Sequence, residues 1–401
     1  MTTTINNEHK KLNVPNLRFK EFQGEWKKCK LSEICTFFSG GTPSSSNKDF
    51  YGGNIAFIRS GELHADSTEL FITQAGFDSS SAKMVEVGDL LLAMYGATSG
   101  DIAVSKIKGA INQAILCIRT KQNKKFIESV WNKHVSKNLR KYLQGGQGNL
   151  SADIVKGISF FFPTLKEQEK IANLVSLLDE RIATQNKIID KLQSLIKGLN
   201  NHLCQQHGNE IETSFADLGV SYSGLSGKTA ADFGSGKPFI TYLNVYSNNV
   251  IDETSYQYVR MGNNEKQSIV RYGDVLFTLS SETPEEVGIG SVYLGNQEVY
   301  LNSFCFGIHI TNTQKSFSPY LSYYISTTQF RKFIYPFAQG STRFNLCKAD
   351  FEKATIKLPT LENQKRIYKA LKSLSDKIMV EKATLEQYSR QKQYLLRQMF
   401  I

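Results

Sequence analysis

Pro163-Thr164-Leu165-Lys166-Glu167-Gln168-Glu169-Lys170-Ile171 returns 196 residues later as Pro359-Thr360-Leu361-Glu362-Asn363-Gln364-Lys365-Arg366-Ile367. After each copy, apolar residues alternate by four and three. The first run is Ile171, Val175, Leu178, Ile182, Ile189, Leu192, Ile196 and Leu199; the second is Ile367, Leu371, Leu374, Ile378, Leu385 and Leu395. Spacing that averages 3.5 residues is the a/d seam of a coiled coil. Both runs carry a polar residue, Gln185 or Glu381, on the same rung, a device that fixes register at some cost in stability. Thr164 and Glu167 form a capping-box pattern behind Pro163, whereas the second copy offers only Thr360 as an N-cap. A helix of about 37 residues is about 55 Å long, so each run is expected to act as a spacer. Antiparallel pairing of the two would bring the chain ends together in a pseudo-twofold object. Two core helices of one large domain are the alternative. A narrow seam held over about five heptads, with charged flanks, speaks against it.

Outward from the helices, two globular stretches share one order of motifs. Leu31-Ser32-Glu33-Ile34 parallels Phe215-Ala216-Asp217-Leu218, and Val87-Gly88-Asp89-Leu90-Leu91 parallels Tyr272-Gly273-Asp274-Val275-Leu276. Ile111-Asn112-Gln113-Ala114 parallels Leu301-Asn302-Ser303-Phe304. Short apolar runs such as Ile55–Ile58, Leu90–Ala93 and Ala114–Ile118 read as strands between turns. A helix is expected from about Lys124 to Leu143, matched by one from about Pro319 to Ala338. The widening offset puts an insertion in the second copy around 281–290. The fold class is therefore mixed α/β: two similar globular domains separated by two long helices that form an antiparallel coiled coil. The expected boundaries are an N-terminal extension at 1–30, a first domain at 31–165, a central helix at 166–206, a second domain at 207–360 and a C-terminal helix at 361–401. Outside the shared anchors the copies diverge, as two different specificities on one frame require.

At 401 residues, with 40% hydrophobic and 21% charged residues, the composition is that of an ordinary globular protein. The net charge of +11 points to a polyanionic partner. Six scattered cysteines without a CxxC pair indicate reduced thiols and a cytoplasmic location, and apolar runs are too short to span a bilayer. Gly227-Lys228-Thr229 lacks the earlier glycine of a phosphate-binding loop, since Tyr222 stands there. His202, Cys204 and His207 cluster without a fourth ligand, so no metal site is assigned. No serine or cysteine has the setting of a nucleophile, and no catalytic residue is assigned.

Binding chemistry remains. The helix from Lys124 carries Lys133, Lys137, Arg140 and Lys141 among its cations, a pattern that can lie along phosphates or form a solvated face. Each globular stretch closes with a polar loop ending in Asn-Leu: Gly145-Gly146-Gln147-Gly148-Asn149-Leu150-Ser151 and Gly340-Ser341-Thr342-Arg343-Phe344-Asn345-Leu346. Gln147, Asn149, Arg343 and Asn345 suit base edges, and the small residues allow close backbone approach; an ordinary turn before a strand is the alternative. Gly40-Gly41-Thr42-Pro43-Ser44 and Tyr95-Gly96-Ala97-Thr98-Ser99-Gly100 are further candidate reading loops. They nominate Thr42, Ser44, Lys48, Tyr95 and Thr98 in the first domain. In the second the nominees are Lys228, Ser280, Arg331 and Lys332, besides Arg343 and Asn345.

With these motifs in their order, duplicated, the whole chain resembles a specificity subunit of a type I restriction–modification system. Pro15-Asn16-Leu17-Arg18-Phe19 through Gly24-Glu25-Trp26 resembles the opening of such subunits. Gly40-Gly41-Thr42-Pro43, Gly96-Ala97-Thr98-Ser99-Gly100 and both Pro-Thr-Leu-x-x-Gln-x-x-Ile motifs belong to the same resemblance. The second copy departs from it at Gly224-Leu225-Ser226-Gly227 and Ser280-Ser281-Glu282-Thr283. The resemblance implies two target recognition domains, each reading one half of a bipartite, asymmetric sequence in double-stranded DNA. It implies helices that set the gap between half-sites and dock two modification subunits, joined by two restriction subunits in host defence. S-adenosylmethionine, ATP and magnesium would be bound by those partners and none by this chain, which would be non-catalytic and not membrane-bound. A coiled-coil scaffold with two protein-binding domains is the rival reading.

Overall fold

The computed structural model describes residues 13–142, 150–207, 210–262 and 265–401, without the side chains of 135–142. The chain divides into two compact units, Met1–Gln185 with Thr384–Ile401, and Asn186–Ala383.

The first unit is built on a four-stranded antiparallel sheet in the order Cys35–Ser39, Ile115–Thr120, Leu90–Ala93, Ile102–Val104. Its two central strands are buried on both faces, which explains why Leu90-Leu91-Leu92-Ala93 is an unbroken apolar run. Leu90, Leu92, Leu116 and Ile118 point into one core with Trp26, Phe126 and Trp131. Leu91, Ala93, Ile115 and Cys117 point into another with Ile58, Val85 and Ile111. That second core is shared with a sheet ordered Phe71–Ile72, Tyr51–Ile58, Gly109–Ile111, Lys83–Val85. Its central pair is parallel, joining Phe57 to Ala110 and Ile58 to Ile111.

The second unit repeats the plan. Gly219–Ser223, Cys305–Ile310, Val275–Thr278 and Gly290–Val292 form the antiparallel sheet. Val275 and Phe277 face one core and Leu276 the other. A parallel pair again lies behind it, joining Phe239 to Tyr300 and Ile240 to Leu301. The short helices Leu31–Ile34 and Phe215–Leu218 occupy equivalent places, as their sequence parallel predicts.

The long helices run Leu165–His207 and Leu361–Met399, 43 and 39 residues, longer than the seam alone predicts. Their seam positions are the covered ones: Ile171, Val175, Leu178, Ile189, Ile367, Leu371 and Ile378 are buried, and Ile182, Leu192, Ile196, Leu199, Leu374, Leu385 and Leu395 half-buried. In the first unit the helices run antiparallel, Asp179 pairing with Lys392 at 2.5 Å and Arg181 lying over the ring of Tyr388. In the second, Ile196, Leu199 and Leu203 join Ile367 and Leu371 in one core. The seam therefore runs into the globular cores at its ends instead of ending as a free coiled coil.

The repeated motif has a structural explanation. Gln168 Nε2 donates to the carbonyl of Pro163 (2.9 Å) and Gln168 Oε1 accepts from the amide of Asn123 (3.1 Å). Gln364 Nε2 donates to the carbonyl of Pro359 (2.9 Å) and Gln364 Oε1 accepts from the amide of Phe317 (2.8 Å). In both units one buried amide ties the long helix to the residue that opens an earlier helix, Lys124–Tyr142 in the first and Ser318–Tyr324 in the second.

Four expectations are corrected. The strand Lys27–Lys30 is not part of an extension, because it pairs with Ser159–Phe162 inside the first unit. Glu167 does not close a capping box; its carboxylate is taken by Arg18 (2.7 and 2.8 Å) and Trp26 Nε1 (3.3 Å). The helix expected from Lys124 is present and described as far as Tyr142, the last described residue before 150, but its expected counterpart breaks into Ser318–Tyr324, Thr328–Ile334 and a 3-10 turn, Tyr335–Phe337. Thr327, extended at φ −68 and ψ 150, causes the break because its hydroxyl caps the new helix at the amide of Phe330. The insertion at 281–290 accounts for only part of the growing offset, the rest entering after Val292 and after Ile310.

Candidate nucleic-acid interface

Motifs nominated for reading meet, in each unit, at the turn that opens one central strand of the antiparallel sheet, Ile115–Thr120 in the first and Cys305–Ile310 in the second. In the first unit Asn112 Oδ1 accepts from the amide of Ala114 (3.1 Å), while the amide of Asn112 reaches the carbonyl of Ile58 (3.3 Å). The amide of Met94 donates to the carbonyl of Ala114 and that of Leu150 to the carbonyl of Met94, each at 2.8 Å. The second unit is built identically from Asn302. Asn302 Oδ1 accepts from the amide of Phe304 (2.9 Å), and its own amide reaches Ile240 (3.0 Å). The amide of Leu279 donates to Phe304 (2.9 Å) and that of Leu346 to Leu279 (2.8 Å). The two Asn-Leu loop endings therefore close the same backbone ladder.

Glycine is required at the head of each ladder. A Cβ on Gly40 would lie 1.8 Å from the carbonyl oxygen of Ile111, and one on Gly224 would lie 2.0 Å from that of Asn302. This is close backbone approach that no side chain permits, and it places the next loop against the turn.

On this shared frame the side chains differ. In the first unit the hydroxyl of Thr42 donates to Gln113 Oε1, and Ser44, Lys48 and Tyr95 are exposed while Thr98 is half-buried. Gln113 was not nominated by sequence, although the Asn112 turn repeated at Asn302 marked its position. In the second unit Arg343 and Asn345 are exposed on a ribbon formed by Ala338–Gln339 and Phe344–Leu346, with Gln339 opposite Asn345. Ser280 pairs with Asn345 from the other side but is buried, its carbonyl accepting from the hydroxyl of Tyr242 (2.8 Å). Hydroxyls of Tyr246 and Ser281 donate to Glu286 at 2.7 and 3.1 Å, holding its carboxyl below the usual range. An exposed aromatic, Phe304, stands beside Arg343. Phe304, Gln339 and Glu286 are members of this edge that sequence reasoning did not select.

Several nominated cations are engaged elsewhere. Arg331 is half-buried and donates to the carbonyls of Glu285, Val287 and Gly288 at 2.7–2.9 Å, so it braces the 285–288 turn. Lys228 donates to the carbonyl of Arg260 (2.6 Å) and pairs with Glu265, whose carboxyl is held at about 2 by the amide of Gly262, Lys228 and Gln267. Lys133 donates to the carbonyls of Phe400 (2.5 Å) and Arg397 (3.5 Å), capping the end of the C-terminal helix. Lys124 and Lys125 on the same helix bind Gly88 O and the carboxylates of Glu128 and Asp179. The described part of that helix is thus a packing element and not a free basic face. Lys332 is exposed. Gln147 and Asn149 lie outside the described residues, as do the side chains of Lys137, Arg140 and Lys141. Cys204 points into the second core against the hydroxyl of Tyr320, 3.2 Å away.

A family profile for the type I restriction modification DNA specificity domain matches residues 23–194 and 228–388. Relatives by sequence include the putative type I restriction enzyme MjaX specificity subunit of Methanocaldococcus jannaschii, 23% identical over 97% of this chain and 96% of its own length. The MjaVIII specificity subunit of the same organism is 21% identical over 94% of each. Among solved structures, the S subunit of a type I restriction–modification system from M. genitalium covers 97% of this chain and 99% of its own at a TM-score of 0.59 and 14% identity. Among the described residues no helix is long and apolar enough to cross a membrane.

Proposed function

The chain belongs to the type I restriction modification DNA specificity family, and on that footing we propose that it is the non-catalytic subunit that selects the DNA sequence for a restriction–modification complex. Each unit reads one half of a bipartite, asymmetric target in double-stranded DNA. The observation that carries this reading is the ladder of Asn112, Met94 and Leu150, rebuilt at Asn302, Leu279 and Leu346 under different exposed side chains. A duplicated backbone with divergent tips is what two half-sites of different sequence need. Base edges are read by amides, hydroxyls and arginine in the major groove, and exposed lysines such as Lys48 and Lys332 supply sequence-independent affinity. The long helices set the separation of the half-sites and dock two modification subunits. S-adenosylmethionine belongs to those subunits, and ATP with magnesium to two restriction subunits.

The test is to co-express the full chain with a cognate modification subunit and map methylated adenines across the host genome by single-molecule sequencing. A bipartite motif with a fixed gap, changed in one half only when residues 31–165 are exchanged for those of a relative, supports the reading. A stable complex that methylates nothing overturns it and favours the protein-binding scaffold.

A further inference from the structure

Arg343 has a setting unlike that of the other arginines described at this edge. Its guanidinium forms no ion pair or hydrogen bond among the described residues, yet it is not loose: Cζ lies 5.9 Å from the centre of the Phe304 ring. Phe304 is itself 55% exposed, a large apolar side chain kept at the surface by the Asn302 turn. The turn that leads to Arg343 is tight. Gly340, at φ +137, leaves so little room that a Cβ there would lie 2.1 Å from the carbonyl oxygen of Arg343. Leu346 and half-buried Ala338 form the inner face of the ribbon, while Gln339 and Asn345, directly paired, are exposed on the outer one. Arg343 lies in the bend just before the strand Phe344–Leu346, two positions from Asn345, and both residues are exposed. Two residues of chain span at most about 7 Å, roughly two base-pair steps, so a guanidinium and a carboxamide are presented close together, with Gln339 directly opposite Asn345.

We infer that this ribbon enters the major groove and that Arg343, steered by Phe304, reads a guanine in the half-site assigned to the second unit, with Asn345 or Gln339 reading an adenine no more than two steps away. The inference rests on the DNA-recognition reading above. The hairpin of Ala338–Gln339 and Phe344–Leu346 is backed on its far edge by Ser280–Ser281; β-elements of this kind read the major groove, and the guanidinium fork matches O6 and N7 of guanine as a carboxamide matches N6 and N7 of adenine. Stacking on an aromatic face holds the fork in one orientation and restricts the rotamers it would otherwise lose on binding. Phe304 is a positioning residue that does not itself specify the base. The two units would then differ in kind: described residues of the first edge present a neutral hydroxyl–amide pair, Thr42 with Gln113, and those of the second an arginine.

The experiment uses the full-length chain in complex with its modification subunit. The wild-type motif is mapped first, and synthetic duplexes carrying it, and each single-base-pair replacement, are then used as probes. Arg343→Ala and Arg343→Lys are expected to relax one G·C pair in one half-site, with discrimination there falling about tenfold to a hundredfold. The other half-site stays intact and serves as the control for folding. Phe304→Leu should weaken discrimination at that same pair by a smaller factor and leave other positions unchanged. If Arg343→Ala weakens every duplex equally and Arg343→Lys restores binding, the arginine holds a phosphate and the inference is wrong. An unchanged motif in both variants, or a wild-type motif without a G·C pair in the half that responds to the ribbon, also overturns it. A wild-type complex that methylates nothing counts instead against the DNA-recognition reading.

Discussion

Gln168 and Gln364 show how a short repeated motif can be about packing. Each amide is buried and makes bonds to a proline carbonyl and a distant backbone amide. Removing such a side chain strands a buried amide without a partner, at about 1–3 kcal/mol. Gln168→Ala and Gln364→Ala should each lose that much in urea unfolding. Asp89 and Asp274 hold equivalent turns but oppose each other in charge logic. Burial pushes the Asp89 carboxyl up, yet Arg119, the amide of Glu86 and the charge of Lys124 bring it below its usual value. Its contribution is present above about pH 4 and is lost as pH falls through the depressed value. For Asp274 burial outweighs the bonds from the amide of Arg271, from His309 and from Tyr222, and the carboxyl is raised. Its contribution is complete below about pH 4 and is lost as pH rises through the raised value. Melting temperatures should therefore diverge: the deficit of Asp89→Asn narrows from about pH 7 to about pH 3.5, and that of Asp274→Asn widens.

At the scale of elements, the seam is not uniform. Leu371 is fully buried in the second core, whereas Leu374, one step along the same seam, is half-buried. Leu371→Ala should cost about 2–5 kcal/mol and Leu374→Ala clearly less. Leu178→Asp, placing a carboxylate at a position 6% exposed, should prevent the first unit from folding. Circular dichroism and urea titration of the full chain distinguish these outcomes, and a silent Leu178→Asp would refute the seam. The basic helix Lys124–Tyr142 teaches the opposite lesson. Its lysines read as a phosphate face or a solvated one in the sequence, but Lys124 bonds to the carbonyl of Gly88, Lys125 pairs with Asp179 and Lys133 bonds to the carbonyl of Phe400, partners that no helical periodicity reveals.

For the whole molecule, the net charge of +11 matters only through cations left free. Log affinity for a duplex carrying the target motif should fall linearly with log salt, each neutralised phosphate adding about −0.9 to the slope. Lys48→Ala should make the slope shallower by about that amount without changing the motif. Lys228→Ala should not, because Glu265 and the carbonyl of Arg260 already hold that ammonium. Fluorescence anisotropy at several salt concentrations measures both.

The division of the chain into duplicated units, the seam residues, strands at Leu90–Ala93 and about Ala114–Ile118 and the correspondence of Asn112 with Asn302 are all legible in the sequence alone. They follow from periodicity, from unbroken apolar runs and from motifs that recur in the same order in both copies, which are constraints written along the chain itself. The tertiary structure alone decides which polar side chains are spent and which are free. Glu167 meets Arg18, Arg331 meets the 285–288 turn, Thr42 meets Gln113 and Arg343 meets Phe304, pairs from 39 to 149 positions apart. Such partners are chosen by how sheets and loops pack. A hydrogen bond satisfied across that distance leaves no trace in the spacing of residues along the chain.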